Sequence, residues 1–143
     1  MRKVAVAGAG MMRFGKYADR GLKDLSREAV SAALEAAGMD KKVPQVAVVG
    51  NAAAGLVTGQ ECVRGQVVLR EMGIDRIPIV NADNACASSS TAFQLAWLYV
   101  ASGMHDIALA LGWRRCTRPT RPSRCRRSAP PSTSSSSERS WSG

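Results

Sequence analysis

The chain has 143 residues, 45% of them hydrophobic and 5% aromatic, with formal net charge +9; that length suits one domain with a real core and excludes two large ones. The charge is uneven, because residues 1–112 hold 12 Lys/Arg against 10 Asp/Glu, whereas residues 113–143 hold eight Arg, no Lys and the single acid Glu138. In the longest stretch without ionisable acids or bases, Asn84 to Met104, the apolar helical part from Thr91 to Ala101 would span only about 17 Å of a hydrocarbon core about 30 Å thick, so no transmembrane helix is expected.

Met1-Arg2-Lys3 followed by Val4-Ala5-Val6-Ala7 imitates the start of a secretory signal. Gly8, Gly10, Arg13 and Lys16 cut the apolar run short, and a cytoplasmic protein is expected instead. Val4–Gly8 reads as a first strand, buried on both faces of a parallel sheet. From Leu22 to Ala37 apolar residues recur at helical spacing with charges between them, and Gly38 follows as a stop. Val46–Gly50 repeats the buried-strand pattern, and a Gly-containing loop leads to a second helix over Cys62–Met72. Ile77–Val80 reads as a third strand, with Pro78 near its start where a missing N–H is tolerated. A helix over Thr91–Ser102, stopped by Gly103, precedes a fourth strand at Ile107–Leu111. This alternation predicts an α/β architecture with a mostly parallel sheet.

The third helix is apolar nearly all round, through Ala92, Phe93, Leu95, Ala96, Trp97, Leu98, Tyr99, Val100 and Ala101. Such a helix belongs in an interior. Four short strands and two amphipathic helices cover only one side of it, which suggests that half of a larger sandwich lies outside this chain. From Trp113 onward Arg, Ser, Thr and Pro dominate, and residues 113–143 are expected to be a disordered tail. The tail's arginines also allow a nucleic-acid arm, a reading set below that of a solvated end.

Cysteine spacing suggests neither a zinc site nor a disulfide framework, so reduced thiols and no metal are expected. Cys86 stands between a strand's carboxyl end and a helix's amino end, where ligands gather in α/β sheets. Helix-terminal N–H groups and the dipole favour its thiolate, and small neighbours leave room for a bulky thioester. The competing reading is a small buried hydrophobe. Gly8-Ala9-Gly10 lacks the third glycine of a dinucleotide fingerprint, and no Ser-His-Asp set assembles around the single histidine.

The stretch Val80-Asn81-Ala82-Asp83-Asn84-Ala85-Cys86-Ala87-Ser88-Ser89-Ser90-Thr91-Ala92 resembles the nucleophile segment of the thiolase superfamily. Val6–Lys16, Val49-Gly50-Asn51, Gly59–Gln66 and Asp106–Gly112 are similar to its sterol-carrier-protein-type, or nonspecific lipid-transfer, branch. The likeness covers residues 1–112, which on this basis form an amino-terminal half domain. Ser89 departs from the pattern, which carries Gly there. The resemblance implies a five-layered fold of two similar halves, a nucleophile helix between two sheets, and a homodimer. It also implies acyl transfer: Cys86 attacks a fatty acyl or 3-ketoacyl thioester of coenzyme A and passes the acyl group to coenzyme A or to an acetyl-CoA carbanion. No permanently bound cofactor is implied; the coenzyme A thioester is the substrate, and an OB-fold companion protein is a further implied partner. The family's activating histidine and second cysteine come from the second half. His105, in a turn before the last strand, reads as a solvated loop residue, and Cys116 and Cys125 lack the family's glycine context. A non-catalytic acyl-CoA or lipid-binding module is the alternative.

Relatives continue after Leu111-Gly112 with Val-Glu-Lys-Met, where this chain has Trp113-Arg114-Arg115-Cys116. Codons TGG-AGA-AGA-TGC moved back by one base, with a G in front, read GTG-GAG-AAG-ATG. On this hypothesis the tail is out of frame and the protein is a truncated, inactive half.

Overall fold

A computed structural model of the chain describes residues 1–17, 19–52 and 62–113. Helix α1 (Leu22–Ala37) opens with the Gly21 N–H donating to the Asp24 carboxylate at 3.1 Å and closes on Gly38, whose φ of 64° a residue with a Cβ rarely adopts. Strand β1 (Val46–Gly50) follows, then α2 (Arg64–Glu71), β2 (Ile79–Ala82), a 3₁₀ turn at Ala85–Ala87, α3 (Ser88–Ala101) and β3 (Ala108–Gly112). The described strands form a parallel sheet in the order β2-β1-β3.

β1 is central, and its alternating side chains serve two cores. Ala47 and Val49 face Val30 of α1 and Val68 and Leu69 of α2, together with Ile74, Leu109 and Leu111. Val48 points the other way, onto Ala92 and Ala96 of α3, with Val80, Ala82, Leu95, Tyr99 and Ala108 around it. The result is three layers: α1 and α2, the sheet, and α3. Alanines on the sheet side of α3 allow close approach, while its other side leaves Phe93 55% and Trp97 39% exposed. That uncovered side is what the all-round apolar pattern of this helix anticipates.

Five of the expected elements differ: α2 covers Arg64–Glu71 rather than Cys62–Met72 and β3 Ala108–Gly112 rather than Ile107–Leu111, shifts of one or two residues, and three others differ in kind or position. Val4–Gly8 is not a strand: it carries no sheet pairing, and Val6 is 69% exposed. The segment lies along α1 instead, so close that a Cβ on Gly8 would sit 2.4 Å from the Ala33 carbonyl oxygen, and one on Gly10 2.2 Å from that of Ala29. The two glycines thus permit contact with the small-residue side of α1, a purpose different from ending a strand. β2 starts at Ile79, leaving Pro78 just outside, where its carbonyl accepts from the Ala47 N–H at 3.0 Å. α3 begins three residues before Thr91, immediately after the turn that holds Cys86. Trp113 packs against the core of the α1 and α2 side, its N–H donating to the Gly50 carbonyl at 3.2 Å. The rest of the tail, residues 114–143, and the 53–61 part of the loop before α2 lie outside the described residues.

Candidate active site

The exit of β2 places Cys86. After Ala82 the sheet pairing ends, and the chain turns through Asp83 and Asn84 into the 3₁₀ turn, with Ala85 at φ 46°. That left-handed conformation costs an L-residue with a Cβ about 1–2 kcal/mol, so surrounding bonds must hold it. Ser88, 3% exposed, supplies two of them: its Oγ accepts from the Asn84 N–H and donates to the Ala85 carbonyl, both at 2.8 Å. The Ala87 N–H donates to the Asn84 carbonyl at 2.9 Å, and Asn84 Nδ2 donates to Thr91 Oγ1 at 3.1 Å. Cys86 is thereby presented as an exposed residue at the amino end of a 14-residue helix. The competing reading of a small buried hydrophobe does not match this exposure.

The seat beneath the turn is made of two glycines. Gly50 and Gly112 are paired partners across β1 and β3. A Cβ on Gly50 would lie 2.3 Å from the Ser88 carbonyl oxygen, and one on Gly112 2.1 Å from Ser89 Oγ. The first turn of α3 therefore rests directly on the carboxyl end of the sheet.

His105 does not join Cys86. It follows the other end of α3, about 20 Å of helix away, half-buried with its ring edge-on to Tyr99 at 5.6 Å and its N–H donating to the Tyr99 carbonyl at 3.2 Å. Cys62 is a second exposed cysteine, before α2, while Cys116 and Cys125 fall outside the described residues. Among the described residues no cluster of His, Cys, Asp or Glu could hold a metal ion, and no helix is long and apolar enough to cross a membrane. Sequence reasoning missed Ser88 and the glycine seat. The signal for the seat was present, since both β1 and β3 end in glycine.

A parallel sheet with a helix springing from the Cys86 turn defines an α/β fold that presents a cysteine where a strand hands over to a helix. The Thiolase, N-terminal domain family matches residues 4–136, and the chain belongs to the thiolase family. It is 40% identical over 117 residues to an acetyl-CoA acetyltransferase of Methanocaldococcus jannaschii, covering 82% of this chain and 30% of that protein. Sterol carrier protein 2 of Gallus gallus is 35% identical over 119 residues, covering 82% of this chain and 21% of its own length. Among solved structures, an acetyl-CoA acetyltransferase from Syntrophomonas wolfei superposes with TM-score 0.62 at 24% identity over 72% of this chain and 26% of that one. The chain thus spans less than a third of these relatives.

Proposed function

We propose that the chain is the amino-terminal half of a thiolase-type acyl-CoA acyltransferase of lipid metabolism and that Cys86 is its acyl-accepting nucleophile. One observation carries the proposal: the exposed residue Cys86 sits on a braced turn between β2 and the amino end of α3. The thiolate attacks the thioester carbonyl, forming a new carbon–sulfur bond, and coenzyme A leaves as its thiolate and takes up a proton. Release of the acyl group to coenzyme A or to an acetyl-CoA carbanion is the second half-reaction. The resemblance assigns a histidine to activation of the nucleophile, the lack of which slows even the first half-reaction, and a second cysteine to acid–base work; His105 lies at the wrong end of α3 to serve. We therefore expect stoichiometric acylation without turnover from this chain alone. Removing such groups costs orders of magnitude, as one oxyanion donor alone is worth about a hundredfold or more.

Incubation with acetyl-CoA and a fatty acyl-CoA, followed by intact-mass measurement, tests the nucleophile. An acyl adduct is expected on the native chain and absent from Cys86→Ala; an adduct that persists in the variant, or none on the native chain, refutes the assignment. The exposed apolar side of α3 favours a second reading, a non-catalytic acyl-CoA or lipid-binding subunit covered by a partner such as a homodimer mate or an OB-fold companion. Acyl-CoA binding without any adduct, equal in the native chain and Cys86→Ala, would establish it.

A further inference from the structure

The sequence Arg64-Gly65-Gln66, which opens α2, touches the same strand exit from outside. Arg64 Nη1 lies 3.2 Å from the Asn51 carbonyl oxygen, 3.3 Å from Asn51 Oδ1 and 3.4 Å from Asp83 Oδ2. One nitrogen thus spans the residue after β1 and the loop that enters the Cys86 turn. Its neighbours complete the connection. The Gly65 N–H donates to Asn81 Oδ1 at 2.7 Å, Asn81 Nδ2 donates to Gln66 Oε1 at 2.8 Å, and Gln66 Nε2 donates to the Ile79 carbonyl at 3.0 Å.

The backbone is shaped to bring this turn against the strands. Val63, just before Arg64, has φ 47°, a conformation that branched residues strongly avoid. A Cβ on Gly65 would meet Val49 Cγ2 at 2.8 Å and Asn81 Oδ1 and Ile79 Cγ2 at 2.9 Å. The Arg64 side chain is 19% exposed and that of Asp83 55%. Each of these three contacts is long, so none is strong alone. What they share is position: they hold two strand ends in one arrangement.

We propose that Arg64 is a positioning residue for Cys86, tying Asp83, three residues before the nucleophile, to Asn51 at the end of β1. The proposal rests on the assignment of Cys86 as the acylated residue. It is tested on the full chain with Cys62, Cys116 and Cys125 changed to Ser, following acylation of Cys86 by acetyl-CoA. Arg64→Ala is expected to lower the limiting acylation rate about tenfold to a hundredfold, as misplacement of a reacting group does, with little change in the half-saturating concentration. Arg64→Lys recovers part of the rate. Asp83→Asn slows the reaction as well, and the double variant Arg64→Ala/Asp83→Asn is no slower than Arg64→Ala, the non-additivity of groups acting through one contact. Iodoacetamide, which needs no docked geometry, alkylates Cys86 at an unchanged rate.

A native limiting rate in Arg64→Ala, or additive losses in the double variant, overturns the proposal. Should Arg64→Ala not fold, Arg64→Lys and Asp83→Asn carry the same comparison. Should the parent chain form no adduct, the nucleophile assignment fails by itself, and amide exchange then judges the tie: faster exchange across residues 83–87 in Asp83→Asn supports it, and native protection there overturns it.

Discussion

At Gly50 and Gly112 the difference between a backbone and a side-chain neighbour sets two different tolerances. A methyl group on Gly50 would strike the Ser88 carbonyl, which is locked into α3, whereas one on Gly112 would strike the Ser89 side chain. Overpacking of this kind costs about 1–3 kcal/mol. Gly50→Ala is expected at or beyond the upper end, and Gly112→Ala, whose methyl also meets Ser89 Cβ at 2.5 Å, within the range. Adding Ser89→Gly to Gly112→Ala recovers most of the loss, and leaves Gly50→Ala unimproved; urea unfolding midpoints at constant slope provide the measurement. The same contact explains how Ser89 is accommodated: the missing side chain at position 112 makes the room. Cys86 was legible from its place between an apolar run and a helix pattern. Ser88 was not, because a serine ahead of a helix reads equally as loop or cap, and its two bonds reach backbone atoms that only the turn brings near.

Among the elements, the three helices and three of the four expected strands emerged from periodicity, α1 and β1 with the expected bounds and the others displaced by one to three residues. Val4–Gly8 failed as a strand because a short apolar run ended by glycine has more than one use. Here the exposed Val6 and the close approaches of Gly8 and Gly10 to α1 decide for a strap over a helix. Helix α3 is the opposite case, since its pattern anticipates both the packed and the uncovered side. Phe93, Trp97 and Leu98 all remain on the exposed side, a patch that promotes association. The isolated chain is therefore expected to bind a hydrophobic dye and to scatter light. Phe93→Lys with Trp97→Lys should suppress both signals while moving the unfolding midpoint by no more than a surface change does, about 0.5 kcal/mol per site. A native chain that stays monomeric and dye-silent, with a cooperative melt, would contradict this.

For the whole molecule, Trp113 is the last described residue before the arginine-rich end of the sequence. It packs against the core, yet its Nε1 is buried with no hydrogen-bond partner among the described residues. A buried unpaired donor costs about 1–3 kcal/mol, enough to offset much of what the ring's burial contributes. Under the frameshift hypothesis a valine belongs at this position. Trp113→Val is then expected to leave stability within about 1 kcal/mol of the parent, where loss of a well-fitted tryptophan would cost about 3–5 kcal/mol. The coding DNA supplies the direct check, since the shifted frame beyond codon 113 should encode a thiolase second half, and any other product removes the hypothesis.

Local chemistry was enough to indicate the α/β alternation, the three helices and the place of Cys86 between a strand and a helix, because apolar period and turn composition are written in neighbouring residues. Folding was needed to show the Val4–Gly8 strap on α1, the facing glycines under Ser88 and Ser89, and the reach of Arg64 to Asn51 and Asp83. These join positions many residues apart by contact and hydrogen bonding, which leave no periodic trace along the chain.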